Sequence, residues 1–121
     1  MKGIGVDLIC MKRIEEMITS DNQNFFVFFT DDEHNLGETY RDKALFYAER
    51  FAAKEAVFKC FNIEMDIDYL KEIETLNGTT GKPYVNLYGK IKSIAAERKF
   101  DHIDISISHD NQMVIAFAAV D

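Results

Sequence analysis

Residues 113–120 read MVIAFAAV, with no polar side chain among them. A strand apolar on both faces belongs in the middle of a sheet, with a partner on each side. The stretch before it, HIDISIS over 102–108, alternates, so that Ile103, Ile105 and Ile107 face inward. A turn at Asp110-Asn111 joins the two into a hairpin, which makes the pairing antiparallel. The longest helical pattern runs from about Arg41 to Phe61. The chain is therefore read as α+β, a small, mostly antiparallel sheet packed against one long helix. Its 121 residues suit a single domain over 1–121 with a modest core.

Further elements fill in around these two. In GIGVDLI, over 3–9, Ile4, Val6 and Leu8 share one face of a strand, and Gly3, Gly5 and Asp7 the other. Asp7 is placed near the strand end, its carboxylate left uncovered by the glycines. Met11, Ile14, Met17 and Ile18 mark a helix over about 10–20, with Lys12, Arg13, Glu15 and Glu16 outside. A polar stretch and the aromatic run FFVFF occupy 21–29, and the pattern there fits strand and helix equally. Thr30-Asp31-Asp32-Glu33 has the capping-box form, so a short helix starts at Asp31 and ends near Gly37. That cap accounts for the acidic cluster without a metal.

Residues 63–75 read as a loop entering a strand, 77–83 as a turn, and 84–88 as the returning strand. A last helix covers about 89–99.

Composition narrows the function. The net charge of −7 argues against a general nucleic-acid binder. No apolar run approaches the roughly 20 residues of a membrane span. The first ten residues are interrupted by Gly3, Gly5 and Asp7 and have no cleavage site after them, so they read as a strand rather than a signal peptide. Cys10 and Cys60 form no metal pattern and are read as reduced and mostly buried, in a cytoplasmic protein.

The long helix carries an acid where an apolar residue is expected. With Ala44 at zero, Ala48 falls at about 40°, Phe51 at about −20°, Phe58 at about −40° and Glu55 at about 20°, inside the apolar stripe. Lys59 follows one turn later, and Arg50 and Lys54 share a neighbouring flank. An i,i+4 Glu–Lys pair is worth only about 0.2–0.5 kcal/mol. An inward carboxylate asks for more, either an ion pair or a cation. Asp7 is a second carboxylate, and two carboxylates with water and phosphate oxygens make a Mg²⁺-type site. His109 continues the inward face of its strand at the strand's end, where a lone histidine is more often a hairpin cap than a site.

GIGVDL, RFAAKEAVFK, NGTTGKPYV and ISISHD, in that order and over nearly the whole chain, resemble the holo-acyl-carrier-protein synthase family of short 4′-phosphopantetheinyl transferases. FTDDE is similar to the family's L-T-x-x-E segment. The resemblance implies transfer of the phosphopantetheine arm of coenzyme A to a serine of apo-acyl carrier protein, in support of fatty acid biosynthesis, with adenosine 3′,5′-bisphosphate as the other product. It implies Mg²⁺ held by Asp7 and Glu55, and Glu55 and Lys59 as catalytic residues. Lys59 is assigned to the diphosphate, Arg50 and His109 to the nucleotide and its phosphates, and Lys82 and Pro83 to the adenine. The base for the serine is left open between Glu55, a metal-bound water and another carboxylate. Lys12 and Arg13, otherwise a solvated face, become the docking site for the acidic carrier. A homotrimer with active sites at subunit boundaries is also implied. Two departures stand out: Cys60–Met65 replaces a Gly-rich segment, and Cys10 stands where an acid is common.

Overall fold

The computed structural model describes residues 1–20 and 23–121. Strand β1 (Gly3–Cys10) leads into helix α1 (Met11–Thr19), a 3-10 helix over Gln23–Phe28, and helix α2 (Asp31–Gly37). The long helix α3 (Lys43–Lys59) follows, then helix α4 (Asp68–Glu72) and the hairpin of β2 (Ile73–Asn77) and β3 (Pro83–Leu87). Helix α5 (Gly89–Glu97) and strands β4 (Ile103–Asp110) and β5 (Met113–Val120) complete the chain. The strands form two antiparallel sheets, ordered β1-β5-β4 and β2-β3. Thus β5 is the central strand, as its doubly apolar pattern predicts. No helix of the described residues is long and apolar enough to cross a membrane.

The α2 start matches the capping-box expectation: Thr30 Oγ1 accepts from the Glu33 N–H, and Glu33 Oε1 accepts from the Thr30 N–H. The aromatic run resolves as a 3-10 helix whose Phe25 packs edge-on against Phe29 and Tyr47. The polar residues 21 and 22 lie outside the described residues. Helix α4 was not expected. Its five residues are too few to show a helical period, and only Tyr69 and Leu70 turn inward. The β4–β5 turn sits one residue later than expected, at Asn111 and Gln112, both with positive φ (50° and 68°). Asp110 stays in the ladder opposite Met113. Cys60 is buried as expected, but Cys10 is exposed at the end of β1.

The glycines of β1 act differently from the expectation. A Cβ on Gly5 would lie 1.9 Å from the Ala56 carbonyl oxygen, and one on Gly3 would lie 2.5 Å from that of Cys60. Their bare faces are filled by the backbone of α3, which lies directly on β1. Asp7 is inside the strand, opposite Ala116, rather than near its end.

Helix α3 also faces differently. It is buried almost all round: Phe46, Ala48, Ala52, Ala53, Ala56 and Val57 have no exposed surface. The flank of Arg50 and Lys54 is among its deepest sides, with exposures of 3% and 0%. The arc of Ala44, Phe51 and Glu55 is only partly covered. Glu55 therefore occupies the part of the helix that the core leaves open. A helix sandwiched between layers has no single apolar stripe, so the wheel could not tell its front from its back.

The outer face of the three-stranded sheet remains uncovered. Ile4, Val6 and Leu8 on β1 and Ile115 and Phe117 on β5 are 43–61% exposed. Val6 pairs with Phe117, and Leu8 with Ile115, so the five form one apolar stripe.

Candidate functional site

Close packing of β1 on α3 brings Asp7, Glu55 and Lys59 together. Lys59 Nζ donates to Asp7 Oδ1 at 3.2 Å and to the Val6 carbonyl oxygen at 2.9 Å. The Asp7 side chain is mostly buried, and that of Lys59 half exposed. Burial pushes the Asp7 carboxyl above the usual range, and the hydrogen bond and charge of Lys59 and the charge of Arg13 only partly offset this. Burial also raises Glu55, and the neighbouring Asp7 charge raises it further, against Lys59 and Arg13. Two carboxylates whose ionised forms are disfavoured by burial, and in Glu55 also by the Asp7 charge, make a site that gains from a cation. Among the described residues no cluster of three or more His, Cys, Asp or Glu side chains could hold a metal. A cation between Asp7 and Glu55 would take its remaining ligands from water and substrate oxygens, the usual habit of Mg²⁺.

A second cavity, of about 280 Å³, is lined by Tyr40, Glu49, Arg50, Asn77, Lys82 and Ser106, among others. It contains three of the expected binding residues, Arg50, Lys82 and Pro83. Arg50 stacks on the Phe46 ring, 5.0 Å from its centroid. Its Nη2 donates to Asn77 Oδ1 at 3.0 Å and to Tyr40 Oη at 3.3 Å. Among the described residues Nε and Nη1 have no partner and Arg50 forms no ion pair. A buried guanidinium without a counter-charge costs several kcal/mol. The wall of this cavity thus holds a buried cation with Glu49 in electrostatic reach but no direct ion pair and two N–H groups to spare, suited to an anionic ligand.

His109 does not line that cavity. It is exposed beside Asp110 and Met113 at the far end of β4, on two other cavities. Its charge does reach Glu49, whose carboxyl is raised chiefly by burial and lowered by Arg50 and His109. Lys12 and Arg13 are both exposed on α1, and Arg13 lies within electrostatic reach of Asp7 and Glu55. Past Lys59, Asn62 takes a left-handed φ of 51°; Asn tolerates this region better than most residues.

Sequence reasoning missed the most buried polar group of the helix. Lys54 Nζ donates to Glu33 Oε1 at 2.6 Å and to the Leu70 and Ile73 carbonyls at 3.0 and 2.5 Å. Glu33 Oε2 accepts from the Thr75 N–H at 2.9 Å. This network fastens α2, α4 and β2 to α3 at the residue before Glu55. The capping box already explained Glu33 locally, and nothing local reports its second oxygen. Tyr40, Glu49 and Asn77 carried no motif that would single them out; Asn77 read as turn chemistry alone.

A sequence profile of the 4′-phosphopantetheinyl transferase superfamily matches residues 3–118. A holo-[acyl-carrier-protein] synthase of Alkaliphilus oremlandii is 36% identical over 118 residues, covering 98% of this chain and 97% of that protein. The crystal structure of holo-[acyl-carrier-protein] synthase from Neisseria meningitidis superimposes with a TM-score of 0.88 at 25% identity, covering 99% of this chain and 98% of that one. That of the Helicobacter pylori synthase in complex with coenzyme A gives 0.82 at 26% identity, covering 98% and 99%.

Proposed function

The chain belongs to the 4′-phosphopantetheinyl transferase superfamily, and on that premise we propose that Asp7, Glu55 and Lys59 are the centre at which it transfers phosphopantetheine from coenzyme A to a serine of acyl carrier protein. The observation that carries this reading is the convergence of Asp7 and Glu55, 48 positions apart in sequence, on one half-buried spot beside Lys59. In the reaction a serine Oγ forms a bond to the β-phosphorus of coenzyme A. The bond from that phosphorus to the oxygen bridging the two phosphates breaks, and adenosine 3′,5′-bisphosphate leaves with the electron pair. The serine proton has to be taken up.

The donor set of Asp7 and Glu55 fits Mg²⁺, with diphosphate oxygens and water as the other ligands. A bound Mg²⁺ would neutralise the diphosphate and favour in-line departure of the leaving phosphate. Lys59 holds Asp7 in place and keeps a positive charge at the mouth of the site, near the leaving oxygens. The serine proton passes to a carboxylate of the site or to a water held there. Arg50 and Lys82 take a phosphate of the nucleotide in the second cavity, with Pro83 alongside, and His109 approaches the nucleotide from the end of β4.

Lys12 and Arg13 are exposed together on α1, with Arg13 in electrostatic reach of both carboxylates, on a chain of net charge −7, and this supports docking of an acidic carrier there. The uncovered stripe of Ile4, Val6, Leu8, Ile115 and Phe117 supports a homotrimer, since an apolar sheet face of this kind is normally covered by a partner.

The test is mass analysis of an apo-acyl carrier protein after incubation with coenzyme A and Mg²⁺. Asp7→Ala and Glu55→Ala should each abolish the added phosphopantetheine and keep the wild-type circular dichroism. Turnover retained by both variants at saturating Mg²⁺ would remove the metal pair from the mechanism.

A further inference from the structure

The Arg50 cavity contains a chain of hydrogen bonds whose direction is fixed by chemistry. A guanidinium only donates. Asn77 must therefore turn its Oδ1 toward Arg50 Nη2, as observed at 3.0 Å. That choice commits Nδ2 to the other side, where it donates to Tyr40 Oη at 2.6 Å. Tyr40 Oη also accepts from Arg50 Nη2 at 3.3 Å. A hydroxyl has two acceptor sites and one proton. Both acceptor sites are now used, the proton of Tyr40 has no acceptor among the described residues, and Tyr40 lines the cavity.

We propose that Tyr40 is a further anion-binding residue of this enzyme and that Asn77 is the positioning residue that turns its hydroxyl outward while fixing the Arg50 guanidinium. The inference rests on the reading of this cavity as the seat of a nucleotide phosphate. In it Tyr40 donates a neutral hydrogen bond to the phosphate that Arg50 binds as a cation. Asn77 spends its Oδ1 on Arg50 and its Nδ2 on Tyr40. It decides which way the proton of Tyr40 points, and the close aromatic contact of Tyr40 with Phe46, 4.8 Å between centroids, keeps the phenol ring in place.

The experiment uses adenosine 3′,5′-bisphosphate as probe in calorimetric titration, together with the KM for coenzyme A. Tyr40→Phe should weaken both about tenfold, the size of one hydrogen bond to a charged group, with kcat within about twofold. Asn77→Asp is the diagnostic variant. A carboxylate gives Arg50 a counter-charge, so the melting temperature is kept or raised, but it also captures the Tyr40 proton. Probe affinity should fall by at least about tenfold, and Tyr40→Phe added to Asn77→Asp should cost nothing more. A purely repulsive effect of the new carboxylate would leave the two substitutions additive, and that result overturns the proposal. So does Tyr40→Phe binding the probe as tightly as wild type while Arg50→Gln binds it weakly. Arg50→Gln with unchanged affinity overturns the phosphate reading itself.

Discussion

Lys54 Nζ lies 2.6 Å from Glu33 Oε1, and neither side chain has any exposed surface. Burial pushes the Lys54 ammonium below its ordinary value, against the charge and hydrogen bond of Glu33. The ammonium is held by three oxygens and the carboxylate by three donors, so desolvation is met on both sides. Removing one partner leaves the other charged and unpaired. Lys54→Met should cost about 3–5 kcal/mol. Lys54→Met with Glu33→Gln should recover part of that loss, because no lone charge remains. Urea unfolding of the single and double variants measures both. A single variant within 1 kcal/mol of wild type, as an order-of-magnitude threshold for a surface pair, would mean that the pair does not hold the helix layers together.

Gly5 carries the second prediction. A methyl group there meets the Ala56 carbonyl oxygen at 1.9 Å and Lys59 Cβ at 3.0 Å, and both belong to the helix that bears Glu55. Gly5→Ala must lift β1 from α3, at about 1–3 kcal/mol or more. The same movement separates Asp7 from Glu55. The Mg²⁺ concentration for half-maximal transfer should rise in Gly5→Ala by more than in a variant comparably destabilised at a distance, such as Ile91→Ala. Equal Mg²⁺ dependence in the two would show that the approach of β1 to α3 does not set the metal site.

The sequence patterns reported what is periodic or local. The hairpin, the capping box at Thr30 and the central place of β5 follow from alternation, turn chemistry and an N-cap motif. Asp7, Glu55, Arg50 and Lys82 were legible as candidate residues through motif order, and the fold brings Asp7 and Glu55 to one place and Arg50 and Lys82 to another. Tertiary pairing was not legible. The Glu33–Lys54 bond joins residues 21 apart, each with an innocent local explanation. The role of the β1 glycines depended on where α3 lies. The facing of α3 failed because a helix covered on nearly every side gives the wheel no contrast, and its charged flank is held inside by partners from three other elements.

The third prediction concerns the open sheet face. Phe117 is 45% exposed and sits between Val6 and Ser106 across the strands. Its side chain supports no core of its own subunit, so Phe117→Glu should leave the monomer folded. In a trimer built on this stripe it places three like charges in an apolar seam. Sedimentation should shift from trimer to monomer, and transfer activity should fall if the sites straddle subunit boundaries. A Phe117→Glu protein that sediments like wild type would exclude this face as the subunit contact.

Glu74 gives the fourth prediction. It is 2% exposed, and burial by itself would raise its carboxyl. Hydrogen bonds from Thr30, Asn86 and Tyr88, at 2.6, 3.1 and 2.9 Å, together with the Lys54 charge, outweigh burial and hold it below its ordinary value. A carboxyl depressed on folding stabilises the native state above its unfolded value, and that contribution is lost as pH falls through the folded one. The stability gap between wild type and Glu74→Gln should therefore be widest near neutrality and narrow from about pH 5 downward. Denaturant unfolding at stepped pH reads this directly. A gap that stays constant across that acid range would mean that the three donors hold the glutamine as well as the carboxylate, and that the charge of Glu74 contributes nothing to joining β2, β3 and the start of α2.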